Sequence, residues 1–126
     1  VADYVPVYPG GNDPFTLTAS AAIGGGQLVF ASGVNTVAPT AGANGATVGV
    51  AGHDAASGVR VTVWPLPGAI HETITPAGVT AGAAVASASA GGVDSGTLGT
   101  LAAAGTLLGT AVTTATAGLK CRWIGR

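Results

Sequence analysis

The 126-residue sequence predicts an all-β protein: a small barrel or sandwich built from two similar halves, preceded by an extended N-terminal arm. Three observations predict it. Short runs rich in Val and Thr are separated by Gly, Ala, Ser and Asn. Sequence patterns in the first half recur in order in the second. The first 14 residues carry Pro6, Pro9 and Pro14 together with Gly10 and Gly11, which suits neither a helix nor a central strand.

The arm comes first, at residues 1–14. Tyr4 and Tyr8 are the only tyrosines of the chain, and they are interleaved with Val5 and Val7. An extended segment with such side chains is suited to lie on a surface, its own domain's or a partner's. With no Met in the chain, Val1 is expected to begin a mature product whose initiator has been removed, and the N-terminus lacks the basic-then-apolar layout of a signal peptide.

One β domain is predicted over residues 15–126, with half-repeats at about 15–68 and 69–126. Expected strands of the first half are Phe15–Thr18, Gln27–Ala31, Thr47–Ala51 and Val59–Trp64. Val59-Arg60-Val61-Thr62-Val63 alternates as a half-buried strand should. In the second half, strands are expected at Ile70–Ile74, Ala83–Ser87, Leu107–Val112 and Leu119–Ile124. Between them, Leu98, Leu101 and Ala102 have helical spacing, but Gly99 and Gly105 weaken it, which leaves room for a single helical turn.

The repeat rests on three ordered matches. Ile23-Gly24-Gly25-Gly26-Gln27-Leu28-Val29 matches Val79-Thr80-Ala81-Gly82-Ala83-Ala84-Val85, Val48-Gly49-Val50-Ala51 matches Leu108-Gly109-Thr110-Ala111, and Ala56-Ser57-Gly58-Val59-Arg60-Val61 matches Thr116-Ala117-Gly118-Leu119-Lys120-Cys121. Gly58 and Gly118 fall where a tight turn needs positive φ.

Composition narrows the function classes. Of the hydrophobic residues 26 are Ala, so the core depends on 15 Val, 8 Leu, 4 Ile and six aromatics. Charged residues make up only 7% of the chain and the net charge is −1, which favours life within an assembly over life as a free monomer. Four basic residues without a cluster give no footprint for nucleic acid. No apolar run is long enough for a transmembrane helix. The lone Cys121 excludes an internal disulfide and the usual Cys-based zinc patterns.

Catalytic chemistry finds little purchase. His53-Asp54 and His71-Glu72 are the best acid–base or metal candidates, but adjacent residues on a strand point to opposite faces, and Asp54 sits where Asp usually bonds local backbone. Ser57 lacks the Gly-x-Ser-x-Gly elbow, and Gly24-Gly25-Gly26 lacks the Lys-Ser/Thr of a phosphate cradle and reads as a turn before a strand. Trp64 and Trp123 end the equivalent strands, where they close a core or an interface or, if exposed together, stack on sugars. No enzyme, cofactor or metal is expected.

The order of these motifs carries a resemblance. Thr18-Ala19-Ser20-Ala21-Ala22-Ile23-Gly24-Gly25-Gly26-Gln27-Leu28-Val29, then Thr47-Val48-Gly49-Val50-Ala51, then Asp54-Ala55-Ala56-Ser57-Gly58-Val59-Arg60-Val61-Thr62-Val63, with a weaker copy ending at Ile124, resemble the small capsid decoration (cement) proteins of tailed phages, especially those of actinobacterial hosts. The resemblance implies an all-β virion protein made in the host cytoplasm. It would bind the outer surface of the expanded capsid, as a homotrimer that bridges major capsid protein subunits, with no contact to nucleic acid or membrane. On that reading Tyr4, Val5, Pro6, Val7 and Tyr8 lie on a capsid subunit or neighbouring protomer, with Trp64 and Trp123 as further contacts. The alternatives are a carbohydrate-binding module and a tail or baseplate component.

Overall fold

Ten strands and one short helix follow the arm in the computed structural model, which describes residues 3–126; Val1 and Ala2 of the predicted arm lie outside these. The strands are β1 (Phe15–Ala19), β2 (Leu28–Gly33), β3 (Thr36–Pro39), β4 (Thr47–Ala51) and β5 (Arg60–Pro65), then β6 (Ile70–Ile74), β7 (Ala84–Ser87), β8 (Val93–Gly96), β9 (Leu107–Ala111) and β10 (Lys120–Gly125). Helix α1 (Leu98–Ala104) lies between β8 and β9. The first five strands close a barrel in the order β1-β3-β2-β4-β5, and the last five form an open sheet in the order β6-β10-β9-β7-β8. Strand for strand, these are one topology used twice, apart from the β1–β3 pairing that closes the barrel.

The matching extends to irregularities. The ladder between β2 and β4 slips at Val29/Phe30, and that between β7 and β9 slips at Val85/Ala86, the equivalent position. On β4 and β9 these slips fall at the start of the repeated Val-Gly-Val-Ala and Leu-Gly-Thr-Ala motifs. A Cβ on Gly49 would fall on the Trp64 carbonyl oxygen, and one on Gly109 on the Ile124 carbonyl oxygen. The glycines therefore let β4 and β9 approach β5 and β10 closely. The turns before β5 and β10 use Gly58 (φ 87) and Gly118 (φ 84), as expected from the sequence.

Closure separates the halves. In the barrel β1 runs parallel to β3, pairing Thr18 with Thr36 and Ala19 with Val37. The Thr18 N–H donates to the Asn35 carbonyl (3.0 Å) and the Ser20 N–H to the Val37 carbonyl (2.9 Å). The Ala19 N–H bonds the Val59 carbonyl as the Thr75 N–H bonds the Leu119 carbonyl, which makes Thr75 the counterpart of Ala19 and Pro76 that of Ser20. Proline has no N–H to give, so the second sheet cannot close in the same way. The Asp94 carboxylate bridges there instead, accepting from the Thr75 hydroxyl (3.1 Å) and the Ala77 N–H (2.9 Å).

Two apolar clusters result. Ala19, Ile23, Val29, Val37, Val61 and Val63 fill the barrel. Leu28, Val50 and Leu66 of the first half instead join Val85, Val93, Leu108, Cys121 and Trp123 of the second, so this core spans both halves. Trp123 is its largest fully buried side chain. Removing roughly 200 Å² from water there contributes about 5 kcal/mol before entropy costs.

The sequence reading missed β3 and β8, and it underestimated α1. Pro39, Asp94 and Gly96 are poor strand residues, held here by pairing with β2 and β7. Gly105 does not weaken α1 but ends it, at φ 71, donating its N–H to the Leu101 and Ala102 carbonyls. The helix therefore runs for seven residues instead of a single turn.

Gly109→Ala should cost about 1–3 kcal/mol in urea unfolding, because its methyl has no space beside Ile124. Gly99→Ala should do the reverse. Nothing lies within 4 Å of a Cβ at that helical position, so the gain should be about 0.5–1 kcal/mol.

Candidate interaction surface

The free edge of β6, left bare by the open sheet, is where the arm lies. Tyr8 and Ile70 exchange both main-chain bonds, the Tyr8 N–H to the Ile70 carbonyl at 3.2 Å and the Ile70 N–H to the Tyr8 carbonyl at 2.8 Å. Further along, the Glu72 N–H donates to the Tyr4 hydroxyl (3.2 Å). The Tyr4 N–H reaches the Gly52 carbonyl of the first half (2.8 Å), and the Asn12 amide donates to the Pro67 carbonyl (2.6 Å). Of the two surfaces open to the arm from sequence, its described part occupies the chain's own.

This placement sorts the predicted contact residues. Pro6 is buried and Tyr4 half-buried, both turned to the protein. Val5 (67% exposed), Val7 (46%) and Tyr8 (56%) stand in solvent. Trp123 is fully buried, while Trp64 is half-buried. The ladders explain the difference. Trp123 pairs with Ala111 as Val63 pairs with Ala51, so the counterpart of Trp123 is Val63 and not Trp64. One position of offset puts the two indoles on opposite faces of their strands, and they form no joint platform for a sugar.

The register also defines a surface that the sequence reading did not single out. His71 and Trp123 point inward, so Ile70, Glu72 and Ile74 of β6 and Lys120, Arg122 and Ile124 of β10 point outward. Tyr8, Ile70 and Ile124 form a continuous apolar row across arm, β6 and β10, which continues to Thr110 of β9. Beside it Arg122 and Glu72, directly opposite in the ladder, make a 3.1 Å ion pair. With side chains 51% and 35% exposed, that pair contributes little stability. An exposed apolar row bordered by charged side chains, here Glu72, Lys120 and Arg122, has the layout of an interaction site. The alternation of Cys121 and Trp123 with Lys120, Arg122 and Ile124 was the signal that could have found it.

The predicted chemical candidates have structural partners. His53 Nδ1 lies 2.9 Å from the Asp54 carbonyl, to which it donates, and Nε2 accepts the Thr62 N–H (3.1 Å). At the equivalent place in the second half, the Thr113 hydroxyl accepts the Arg122 N–H (2.9 Å). Asp54 accepts the Gly25 N–H (2.8 Å) where Thr114 accepts that of Ala81 (3.0 Å). The pair His53-Asp54 thus does the work of two threonines. His71 and Glu72 face opposite sides of β6, as expected for neighbours on a strand. The Ser57 hydroxyl donates to the Ser20 carbonyl (3.2 Å). Burial, with the charges of Asp94 and Glu72 adding, pushes the Cys121 thiol up to about 11, so it is not a reactive thiolate. Among the described residues no group of three or more His, Cys, Asp or Glu is placed to hold a metal ion.

The equivalence of His53 and Thr113 has a direct test. His53→Thr should keep stability within about 0.5 kcal/mol. His53→Val, which offers the Thr62 N–H no acceptor, should cost about 1 kcal/mol in the same measurement.

No family model and no curated protein matches this sequence. Among solved structures, the chain is similar to the N-terminal base of head fiber gp8.5 in bacteriophage phi29, with a TM-score of 0.65 and 18% identity. The likeness covers 90% of this chain and 93% of that one, so the two share a fold over nearly their whole length.

Proposed function

We propose that this protein is a structural component of a tailed-phage head, a decoration (cement) protein seated on the outer capsid surface. The observation that carries the reading is the fold likeness, along nearly all of both chains, to the base of a phage head fiber. The motif order of the sequence supports the same reading independently. So does the surface chemistry: only 7% of residues are charged, and an apolar row lies exposed beside the Arg122–Glu72 pair.

In this reading the row Tyr8–Ile70–Ile124, with Val5 and Val7 of the arm, meets major capsid protein subunits. Burying those side chains supplies the apolar contact, with Glu72, Arg122 and Lys120 at its rim. A homotrimer would present three such rows at once. Each contact need only be modest, because the second and third form at the high effective concentration set by the first. A clip of this kind resists the outward pressure of packaged DNA, since several contacts must break together. The likeness to a fiber base favours a second role, that of a seat for a projecting fiber. The two differ in one respect: only a cement role predicts that heads lacking the protein lose DNA at lower temperature.

Purified protein should bind DNA-filled expanded capsids and not unexpanded procapsids. The double substitution Tyr8→Asp/Ile124→Asp should weaken that binding by at least about tenfold, equivalent to about 1.4 kcal/mol, while leaving the circular dichroism spectrum unchanged. Undiminished binding by that variant would exclude the row as the contact surface.

A further inference from the structure

His71 is fully buried, yet it is the centre of the arm's attachment. Its Nε2 lies 2.8 Å from the Pro65 carbonyl, which can only accept, so Nε2 carries the hydrogen. Nδ1 of the neutral ring is then an acceptor, and the Tyr4 hydroxyl, 2.7 Å away, donates to it. The Tyr4 oxygen in turn accepts the Glu72 N–H. The imidazole also lies against two aromatic rings, Tyr4 with its centroid 5.9 Å away and Trp123 tilted at 5.3 Å. Every polar atom of the ring is used, and each is used in the neutral form.

We propose that His71 is a proton-sensitive latch that holds the N-terminal arm on β6 when neutral and releases it on protonation. A proton added at Nδ1 reverses this bond: the Tyr4 oxygen, which already accepts the Glu72 N–H, must then accept from Nδ1 as well, and the hydroxyl hydrogen loses its buried acceptor. The same proton places a charge on a fully buried ring, away from water. Among the described residues no charged group contacts the ring to offset that cost. On the arm the facing titratable group is Tyr4, whose phenol burial pushes well above its ordinary value, so it stays protonated and offers no negative charge. On β10, Cys121 shares the core with Trp123. Arg122 points outward, ion-paired with Glu72 of β6. The end of β5 contributes only the Pro65 carbonyl. Asp3, Glu72 and Lys120 line the cavity beside Tyr4.

The direction of the effect follows from these surroundings. Burial lowers the tendency of His71 to protonate while the arm is closed, although its bond to Pro65 partly counters this. With the arm open and the ring wet, the ordinary value of about 6.5 applies. The open state therefore binds the proton first as pH falls. The arm is held firmly above about pH 6.5 and loosens progressively below it, by up to about tenfold in the opening equilibrium per pH unit until the closed form also protonates. This inference does not depend on capsid binding and concerns the chain alone.

Amide hydrogen exchange on the full chain, expressed as protection factors to remove the intrinsic pH dependence, tests it. From about pH 7.5 to about pH 4.5, protection at Tyr8 and Ile70 should fall by at least tenfold, while β9 and β10 amides keep theirs. His71→Gln keeps a donor for Pro65 and an acceptor for Tyr4 but cannot titrate, so its arm should stay protected across that range. An equal loss in His71→Gln would show that His71 does not carry the effect and overturn the proposal. So would unchanged protection in the wild type, or a loss common to the whole sheet. Should His71→Gln fail to fold, the imidazole titration of the wild type, followed by NMR, decides instead. It must share its midpoint with the loss of arm protection, and separate midpoints refute the latch.

Discussion

Main-chain groups on the rim of a β-sheet need partners or water, and a bare rim invites pairing with another chain. The free edge of β6 is where this protein meets that constraint, and much of the structure depends on how it does so. The first half removes the problem by closing into a barrel through Ser20 and Val37. The second half cannot, because Pro76 replaces the needed donor. The arm covers the exposed edge with the main chain of Tyr8 and the hydroxyl of Tyr4, and Asp94 ties the far end. Arm, barrel and open sheet are therefore one mechanical unit, with Tyr4 touching both halves.

The two halves show how one frame carries different chemistry. Backbone positions are held in common, including the bulges at Val29 and Val85. Side chains diverge within them. His53 and Asp54 stand where the other half has Thr113 and Thr114, and satisfy the same kind of N–H. Val63 inside the barrel becomes Trp123 between the halves, where there is more volume to fill. The indole brings a polar N–H into that core, and Thr73 accepts it at 3.0 Å. The barrel needs no such side chain, because its narrow interior is filled by Val, Ala and Ile.

The same asymmetry shapes the outer surface. A closed barrel half and an open, capped half present different faces to a partner, and the apolar row lies on the capped one. The arm contributes Tyr8 to that row while its own Tyr4 and Pro6 are used internally. Attachment of the arm and presentation of the row are thereby linked through a few residues of one edge strand.

Much of this was legible in the chain itself. Val- and Thr-rich runs fixed eight strand positions, the ordered matches exposed the duplication, and Gly58 and Gly118 marked their turns, because these depend on local backbone preference and on side-chain alternation. The failures were non-local. β3 and β8 are made by pairing with β2 and β7, against the propensity of Pro39, Asp94 and Gly96. The resting place of the arm, the opposite fates of Trp64 and Trp123, and the row Tyr8–Ile70–Ile124 all depend on register between distant strands. A shift of one residue turns a side chain from core to solvent. The sequence by itself determined a duplicated β protein with a proline-rich arm. Which edge the arm covers, and which side chains face a partner, was decided only by the pairing of arm, β6 and β10, since those contacts join residues 50 to 68 positions apart.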